Sequence, residues 1–331
     1  MSIDHTIARA IAVEHYLAGE EQAEITEISE GVENHNYKVV TSQRAFVLRI
    51  YNQANSVTGP RTTASILKEL DFMRLADKFG APTPKVIPTN AGDLVAQWPV
   101  GDHSYHFAAF RFIEASATQV TYTSEILPGI AQVVEGLYRA SVALAVPEGK
   151  KDMPHGIMSR SMARYAALRP LLAKPSRLLT LVDELHAEAK TEERKLLTHA
   201  SAGFIHGDLK LENIMFANED NSAVTAVLDF DDYRYSFRIE DLALLIMRDI
   251  GKPTKCLLQT GLMHDLLEMI ELPEFKDEIA QYLEPLLRAR LMYDLLKLLH
   301  EDKVALAEQI LSDKHVRELI SSHLKSLHIQ P

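Results

Sequence analysis

A short stretch after the middle of the chain restricts its fold and chemistry more than any other part of the sequence. In it, Asp208 follows a histidine and a glycine, Asn213 comes five residues later, and Asp229 ends the apolar run 226–228. Phosphoryl transfer requires a carboxylate beside the attacking hydroxyl, oxygen ligands for Mg²⁺ and positive charge near the phosphates. One tight loop supplies the carboxylate and one ligand, and the strand delivers a second hard ligand to the same cleft. The stretch therefore predicts a phosphoryl-transfer site.

The residues around this stretch have less specific interpretations. We expect His206 to brace the loop through hydrogen bonds rather than to catalyse a step. Asp241 opens an expected helix, where the helix dipole favours an acid in any protein. Asp231 is a candidate contact for metal or substrate, whereas Asp232 fits a solvated position equally well.

The whole combination resembles the aminoglycoside-phosphotransferase and choline-kinase-like superfamily, which is similar to protein kinases. A His-Gly-Asp triplet ending at Asp208 stands where protein kinases have His-Arg-Asp. An Asp-Phe-Asp triplet starting at Asp229 replaces their Asp-Phe-Gly. Both departures are usual in the small-molecule branch. The resemblance covers about residues 23–300 and implies a protein-kinase-like fold that uses ATP and Mg²⁺.

The resemblance also assigns roles, residue by residue. It implies that Asp208 is the catalytic base and that Asn213 and Asp229 are the Mg²⁺ ligands. It implies that Asp241 anchors the catalytic loop. Aromatic and acidic groups receive a cation in choline-kinase-like sites, which makes Tyr233 a candidate substrate contact together with Asp231.

A turn near the N-terminus is the candidate cover for the nucleotide phosphates. It begins at Gly31, and its Gly-x-Glu-Asn-x-Asn-Tyr pattern is similar to the turn of homoserine kinases in this superfamily. Backbone N–H groups and the side chains of Asn34 and Asn36 are suited to donate to phosphate oxygens. A simple hairpin turn is the alternative, since glycine and asparagine favour turns anyway.

An expected strand over 45–51 carries Arg49 where protein kinases have a lysine. Arginine is always charged and offers a forked donor set that suits phosphate. The resemblance implies a paired acid on the following helix. Glu69 is the first candidate and Asp71 the second, and a solvated helix face remains the alternative for Glu69.

The strand that leads to the expected hinge between lobes is the candidate adenine-reading segment. Backbone groups would read the adenine edge there, so side-chain identity carries little information. The residues concerned are Arg111, Phe112, Ile113 and Glu114.

The hydrophobic period changes near residue 115, which predicts an α+β fold. We expect a protein-kinase-like two-lobe fold, with a small antiparallel-sheet lobe and a mainly helical lobe. The N-terminal nucleotide-binding lobe would span 1–115, including a helix over 3–18, and the catalytic and substrate lobe 116–331. In the first lobe we expect strands at 23–30, 36–41, 45–51, 86–87, 93–98 and 106–114, and a helix at 62–79. In the second we expect helices at 124–143, 160–172, 177–199, 239–250, 254–271, 276–299 and 303–327, around a β-rich island at 203–232.

Composition narrows the possible partners. The 331 residues carry a net charge of −11 without a dense basic run, which argues against a nucleic-acid partner. No apolar run approaches the ~18 residues needed to cross a membrane. The single cysteine, Cys256, excludes an internal disulfide and favours a cytoplasmic protein. The acidic excess is weak evidence for a cationic substrate, because solubility explains it more simply.

Three functions are compatible with these features. The first is a small-molecule kinase that moves the γ-phosphate of ATP to a hydroxyl of an amino alcohol, amino acid or aminoglycoside. The second is a protein Ser/Thr kinase, which the lack of an activation loop ending in Ala-Pro-Glu disfavours. The third is a non-catalytic nucleotide-binding pseudokinase. It is disfavoured because Asp208, Asn213 and Asp229 are all present.

Overall fold

A computed structural model gives the three-dimensional structure. It describes residues 4–17, 22–28, 34–52, 54–55, 59–101, 103–114, 116–118, 121–144, 156–172, 176–199, 201–217 and 222–321.

The strands, in chain order, are β1 (Glu24–Ile28), β2 (Asn34–Val40), β3 (Ala45–Tyr51), β4 (Ala54–Asn55), β5 (Gly59–Pro60), β6 (Val86–Ile87), β7 (Ala96–Val100), β8 (His103–Arg111), β9 (Ser116–Thr118), β10 (Ala202–Ile205), β11 (Ile214–Ala217), β12 (Val224–Val227) and β13 (Arg234–Phe237). The helices are α1 (His5–His15), α2 (Thr63–Lys78), α3 (Leu127–Ala143), α4 (Ile157–Leu168), α5 (Arg177–His199), α6 (Glu240–Met247), α7 (Leu257–Thr260), α8 (Met263–Met269), α9 (Pro273–Glu278), α10 (Glu284–His300), α11 (Val304–Ser312) and α12 (Lys314–Leu319).

The N-terminal part is an antiparallel sheet in the order β1-β2-β3-β8-β6, with β7 also paired to β8. Side chains along β3 point alternately to the two faces of the sheet. Phe46, Leu48 and Ile50 share one face and are fully buried, so this is the inner face. They share one apolar cluster with Ala8 and Ile11 of α1. Arg49 therefore projects from the opposite face of the sheet, away from α1.

Helix α2 connects this sheet to the rest of the molecule. It starts at a capping box in which Thr62 and Ser65 each bond the other's backbone N–H. Its buried residues Ile66, Leu70 and Phe72 belong to the same apolar cluster as the helices of the C-terminal part. A continuous core thus runs from α2 into the helical region and fixes α2 against it.

The fold expected from the sequence is confirmed, with an antiparallel sheet first and a mainly helical region after it. The boundary between lobes near residue 115 remains a prediction. Beyond β8, the strand β9 pairs with β11 and so already belongs to the C-terminal β structure.

Several expected helices are broken in the structure. The helix expected at 254–271 is two short helices, because Gly261 adopts φ +78° between them. The helix expected at 276–299 passes through a wider π-helical turn at Ile279–Leu283. The helix expected at 303–327 is interrupted at Asp313, whose side chain caps α12. Residues 322–327 lie outside the described part. None of the helices in the described ranges is both long enough and apolar enough to cross a membrane.

Candidate active site

Two antiparallel strand pairings bring the separated aspartates of the motif together. β10 pairs with β13 and β11 pairs with β12, so the loop after β10 and the segment after β12 lie side by side. The backbone N–H of Leu228 donates to the carbonyl of Asn213 at 2.8 Å. The loop that carries Asp208 is thereby joined to the segment that carries Asp229.

A buried carboxylate holds the loop that carries Asp208. Asp241, in the first turn of α6, accepts from the backbone N–H of His206 at 2.9 Å and from that of Gly207 at 2.8 Å. Burial raises the pKa of Asp241, and these two hydrogen bonds oppose that rise. The carboxylate therefore holds two consecutive backbone N–H groups of the loop.

His206 braces the same loop from its other side. Its Nε2 lies 2.9 Å from the carbonyl of Leu228, and its Nδ1 accepts from the backbone N–H of Asp208 at 3.2 Å. Those two bonds fit a neutral ring with the proton on Nε2. The imidazole is fully buried, and its supporting role stays a prediction.

The turn at Gly207 requires glycine. Its φ is +89°, and a Cβ there would lie 2.1 Å from the carbonyl oxygen of Asp232. The close approach lets Arg234 donate to the carbonyl of Gly207 at 2.7 Å while it binds Glu240 at 2.5 Å. Asp208 consequently leaves the turn in one fixed direction.

The carboxylate of Asp208 lies between two cations. Lys210 Nζ is 2.7 Å from one oxygen, and Arg248 Nη1 is 2.9 Å from the other. All three side chains keep some solvent exposure. The arrangement places a carboxylate and two positive charges at one point of the surface, which is what a transferred phosphoryl group and its acceptor require.

Asn213 and Asp229 have the chemistry of Mg²⁺ ligands. The amide nitrogen of Asn213 donates to the carbonyl of Asp208 at 3.0 Å, which leaves its oxygen as the available ligand. Asp229 sits at φ +66°, and burial, followed by the nearby Asp231, raises the pKa of its carboxyl. Within the described ranges, no hydrogen bond or ion pair neutralises that carboxyl. A divalent cation would supply the missing charge.

No larger set of protein ligands is present. Among the described residues, no group of three or more histidine, cysteine, aspartate or glutamate side chains is placed to hold a metal. A magnesium site of the nucleotide type needs only one or two carboxylates, because phosphates and waters complete the octahedron. The two candidate ligands therefore fit such a site.

The expected pairing of Arg49 with Glu69 is wrong. Glu69 Oε2 instead binds Arg61 Nη1 at 2.6 Å, and both side chains are buried. Arg49 binds Asp231 at 3.1 Å and Asn36 Oδ1 at 3.0 Å. The reason is positional, since Arg61 lies just before α2 and its guanidinium is also 5.6 Å from the ring of Tyr51 in β3.

Asp231 joins both arginines. Its Oδ1 is 3.1 Å from Arg49 and 3.2 Å from Arg61, and its carbonyl accepts from Arg61 at 3.0 Å. Because both arginines already bind this buried carboxylate, its position argues against the expected contact between Asp231 and substrate.

Complete burial raises the pKa of Glu69 to about 7, because attraction to Arg61 only partly offsets the loss of solvent.

Tyr233 is a core residue. Its ring stacks on Phe204 at 5.0 Å between centroids and packs at 5.3 Å against Phe72 of α2. The side chain is 7% exposed, so its position gives no support to the expected contact with substrate. Its ring helps to attach α2 to the segment that carries Asp229.

The remaining predicted nucleotide contacts are spread along the sheet. Asn36 faces Arg49 across the β2–β3 pairing, and Asn34 Oδ1 accepts from the backbone N–H of Asn52. Gly31 lies outside the described residues. The candidate hinge residues lie at the end of β8 and directly after it. They are Arg111, whose N–H donates to the Lys85 carbonyl, Phe112, whose ring lies 3.9 Å from Lys38 Nζ, Ile113 and Glu114.

Three functional candidates were not found from the sequence. Lys210 had a signal, since it lies two residues after Asp208 in the same loop. Arg248 and Arg61 had none, because each meets its aspartate only through folding. Their partners lie 40 and 170 residues away, respectively.

The chain was compared with known proteins. Residues 24–275 match a phosphotransferase enzyme family. A microcompartment-associated aminopropanol kinase is similar in structure, with a TM-score of 0.68, 17% identity and coverage of 99% of each chain. An amicoumacin kinase in complex with AMP-PNP, Ca²⁺ and Ami has a TM-score of 0.65 and 17% identity, over 95% of this chain and 94% of that one. A spectinomycin phosphotransferase in complex with ADP and spectinomycin has a TM-score of 0.58 and 13% identity, over 100% of this chain and 96% of that one.

The family match covers well over half of the chain, so the protein belongs to this phosphotransferase family. It is an ATP-dependent phosphotransferase of the kind that acts on hydroxyl acceptors.

The buried cluster of two arginines and two acids gives a stability prediction. Arg61→Met should lower the free energy of unfolding by about 3–5 kcal/mol, because it leaves Glu69 without its partner in the core. Arg61→Met combined with Glu69→Met should cost less than the sum of the single changes. Chemical denaturation measures all three variants. The control is Arg74→Met, on the exposed face of α2, which should change the free energy of unfolding little. Strict additivity would show that the two side chains are not coupled.

Proposed function

We propose that this protein transfers the γ-phosphate of ATP to a hydroxyl group of a small molecule, with Mg²⁺ as the metal. The observation that carries the proposal is the junction at Asn213. Its amide binds the carbonyl of Asp208 and its own carbonyl binds the N–H next to Asp229. One residue thus couples the candidate base to the candidate metal site.

Asp208 would orient the acceptor hydroxyl and accept its proton. The transition state of phosphoryl transfer is loose, so the carboxylate contributes more through position than through basicity. Lys210 lies against the same carboxylate and would meet the charge that develops on the transferred group. The acceptor oxygen would then attack the γ-phosphorus from the side of Asp208.

Asn213 and Asp229 would hold the metal, which supplies charge neutralisation between the β- and γ-phosphates when bound. Arg49 would bind phosphate oxygens with Asn34 and Asn36 beside it. Its guanidinium already binds Asp231, so the same fork would serve a carboxylate and a phosphate.

The nucleotide would lie in a cleft between the N-terminal lobe, 1–115, and the C-terminal lobe, 116–331. Backbone groups around Arg111 to Glu114 would read its base. Glu69 would take part only through Arg61 and the cluster that fixes Asp231.

A small acceptor is favoured over a protein. The segment between Asp229 and α6 is short, and β13 within it pairs along its full length with β10. That pairing uses the part of the chain from which protein kinases build a peptide platform. The similar aminopropanol, amicoumacin and spectinomycin enzymes are named for small hydroxyl compounds, which agrees with this choice.

The assignment of Asp208 predicts a catalytic loss without loss of nucleotide. Asp208→Asn should reduce phosphate transfer to acceptor by roughly 10²–10⁴-fold, since an amide keeps the size but cannot take the proton. ATP affinity and melting temperature should stay close to wild type. Transfer of label from γ-labelled ATP to a panel of hydroxyl compounds measures the effect. Asp265→Asn, on the exposed surface of α8, is the control. A stable Asp208→Asn variant with normal transfer would exclude the base assignment.

The assignment of Asp229 predicts a changed metal requirement. Asp229→Asn should raise the Mg²⁺ concentration needed for ATP binding, because a neutral amide is a poorer ligand for a hard cation. Thermal shift with a non-hydrolysable ATP analogue, titrated with Mg²⁺, reports this without any turnover. Asp232→Asn is the neighbouring control and should follow wild type. If both variants show the same Mg²⁺ dependence as wild type, Asp229 is not a metal ligand.

A further inference from the structure

Arg61 is a buried arginine to which the proposed chemistry gives no part of its own. It lies directly before Thr62, the N-cap of α2, and its side chain is 4% exposed. Its Nη1 binds Glu69 Oε2 at 2.6 Å, and its Nη2 binds Asp231 Oδ1 at 3.2 Å. The guanidinium therefore connects an acid of α2 to an acid of the segment after β12.

Arg61 holds Asp231 at two atoms. Besides the carboxylate oxygen, the carbonyl of Asp231 accepts from Arg61 Nη2 at 3.0 Å. One bond to the side chain and one to the backbone of the same residue fix both the position of the carboxylate and its direction. The ring of Tyr51 in β3 lies 5.6 Å from the same guanidinium. Arg61 is thus itself held by groups from α2 and from the sheet.

The same oxygen of Asp231 also binds Arg49. Arg49 Nη1 lies 3.1 Å from Asp231 Oδ1, and Arg49 Nε donates to Asn36 Oδ1 at 3.0 Å. Two of the three guanidinium nitrogens of Arg49 therefore already bind protein groups. Its Nη2 makes no hydrogen bond with any residue in the ranges that the structure describes, and the side chain keeps 18% exposure. Nη2 is the donor that is left for a phosphate oxygen.

The charges around Asp231 balance when both acids are ionised. Arg49 and Arg61 bring two positive charges, and Glu69 and Asp231 bring two negative ones. Two guanidinium groups on one oxygen repel each other, and the fully buried Glu69 compensates for that repulsion. Removing Arg61 together with Glu69 would therefore take away contacts to Asp231 without changing the net charge beside Arg49.

We propose that Arg61 is a positioning residue for the nucleotide, because it fixes Asp231 and Asp231 in turn directs Arg49 Nη2 toward the phosphates. The inference rests on the proposed function, in which Arg49 binds phosphate, and adds a residue to it. In protein kinases an acid of a helix holds the cation of the third strand directly. In this chain the helix acid, Glu69, acts on Arg49 only through Arg61 and Asp231.

A positioning role of this kind has a specific consequence. Arg49 would bind the phosphates both before and during transfer, so misdirecting it should raise KM and Kd for the nucleotide more than it lowers kcat. It would not bind the base. The loss of affinity should therefore be confined to ligands that carry phosphates.

Two variants change the contacts of Arg61 and keep the net charge. Arg61→Met combined with Glu69→Met removes one positive and one negative charge and fills the space with flexible apolar side chains. Arg61→Lys keeps the positive charge, but an ammonium lacks the fork that reaches Glu69 and Asp231 together. A loss of affinity in these variants cannot come from a change in net charge.

Calorimetric titration of the full chain with Mg–AMP-PNP and with adenosine measures the effect. Both variants should raise Kd for Mg–AMP-PNP by roughly tenfold or more, the size expected for one misdirected hydrogen bond to a charged group. Kd for adenosine should stay within about twofold of wild type. Phosphate transfer at saturating ATP should fall by a smaller factor than the affinity.

A second buried ion pair provides the matched control. Arg288 of α10 binds Glu188 of α5 at 2.5 Å, and both side chains are mostly buried. Arg288→Met combined with Glu188→Met repeats the same exchange away from Arg49 and should keep the wild-type Kd for both ligands. If this control weakens Mg–AMP-PNP as much as the Arg61 variants do, the effect is not specific to Arg49 and the proposal is overturned.

The other outcomes are equally decisive. Wild-type affinity for Mg–AMP-PNP in the folded paired variant or in Arg61→Lys overturns the positioning role and leaves phosphate transfer standing. Equal weakening of Mg–AMP-PNP and adenosine also overturns it, since the substitutions then distort the whole nucleotide site. Failure of both variants to fold counts against it too, because Arg61 would then serve the fold. Failure of the proposed function looks different, since wild-type protein would then not bind Mg–AMP-PNP or not transfer phosphate.

Discussion

The position of the loop that carries Asp208 depends on one buried carboxylate. Asp241 accepts the backbone N–H groups of His206 and Gly207, two consecutive residues, and so fixes both the path and the direction of the chain before Asp208. All residues of α6 are buried, which gives this carboxylate a rigid base. A charge buried this deeply is tolerated because backbone donors replace the lost water. The two backbone hydrogen bonds offset part of the free-energy cost of burying it, and they fix the geometry of the loop before Asp208.

A second set of buried charges connects the N-terminal sheet and α2 with the segment after β12. Asp229 and Asp231 are two residues apart, yet they have different surroundings. Asp229 has a left-handed backbone and no cation within bonding distance in the described ranges, whereas Asp231 is bound by Arg49 and Arg61. Asp229, whose backbone is strained, is thus the residue that fits a metal. Asp231, which the two arginines bind, holds α2 and the sheet in place.

Features that depend on residues close together in the sequence could be predicted from it. Asp208, Asn213 and Asp229 lie in one short motif, so their types and spacing are enough to indicate the chemistry. The antiparallel sheet and the helical region followed from hydrophobic period. Pairing over long distances did not follow, because it depends on packing. Glu69 has two arginines within reach, and only the folded chain shows that Arg61 binds it and Arg49 does not.

The most direct test of the account is a double-mutant cycle on phosphate transfer with Asp208→Asn, Asp241→Asn and the combined variant. If Asp241 acts by positioning Asp208, Asp241→Asn alone should reduce kcat on the order of 10²-fold, the usual cost of a misplaced catalytic group. The combined variant should then be hardly slower than Asp208→Asn, because both changes disable one loop. A stable Asp241→Asn variant with wild-type kcat, or two losses that multiply in full, would contradict the account.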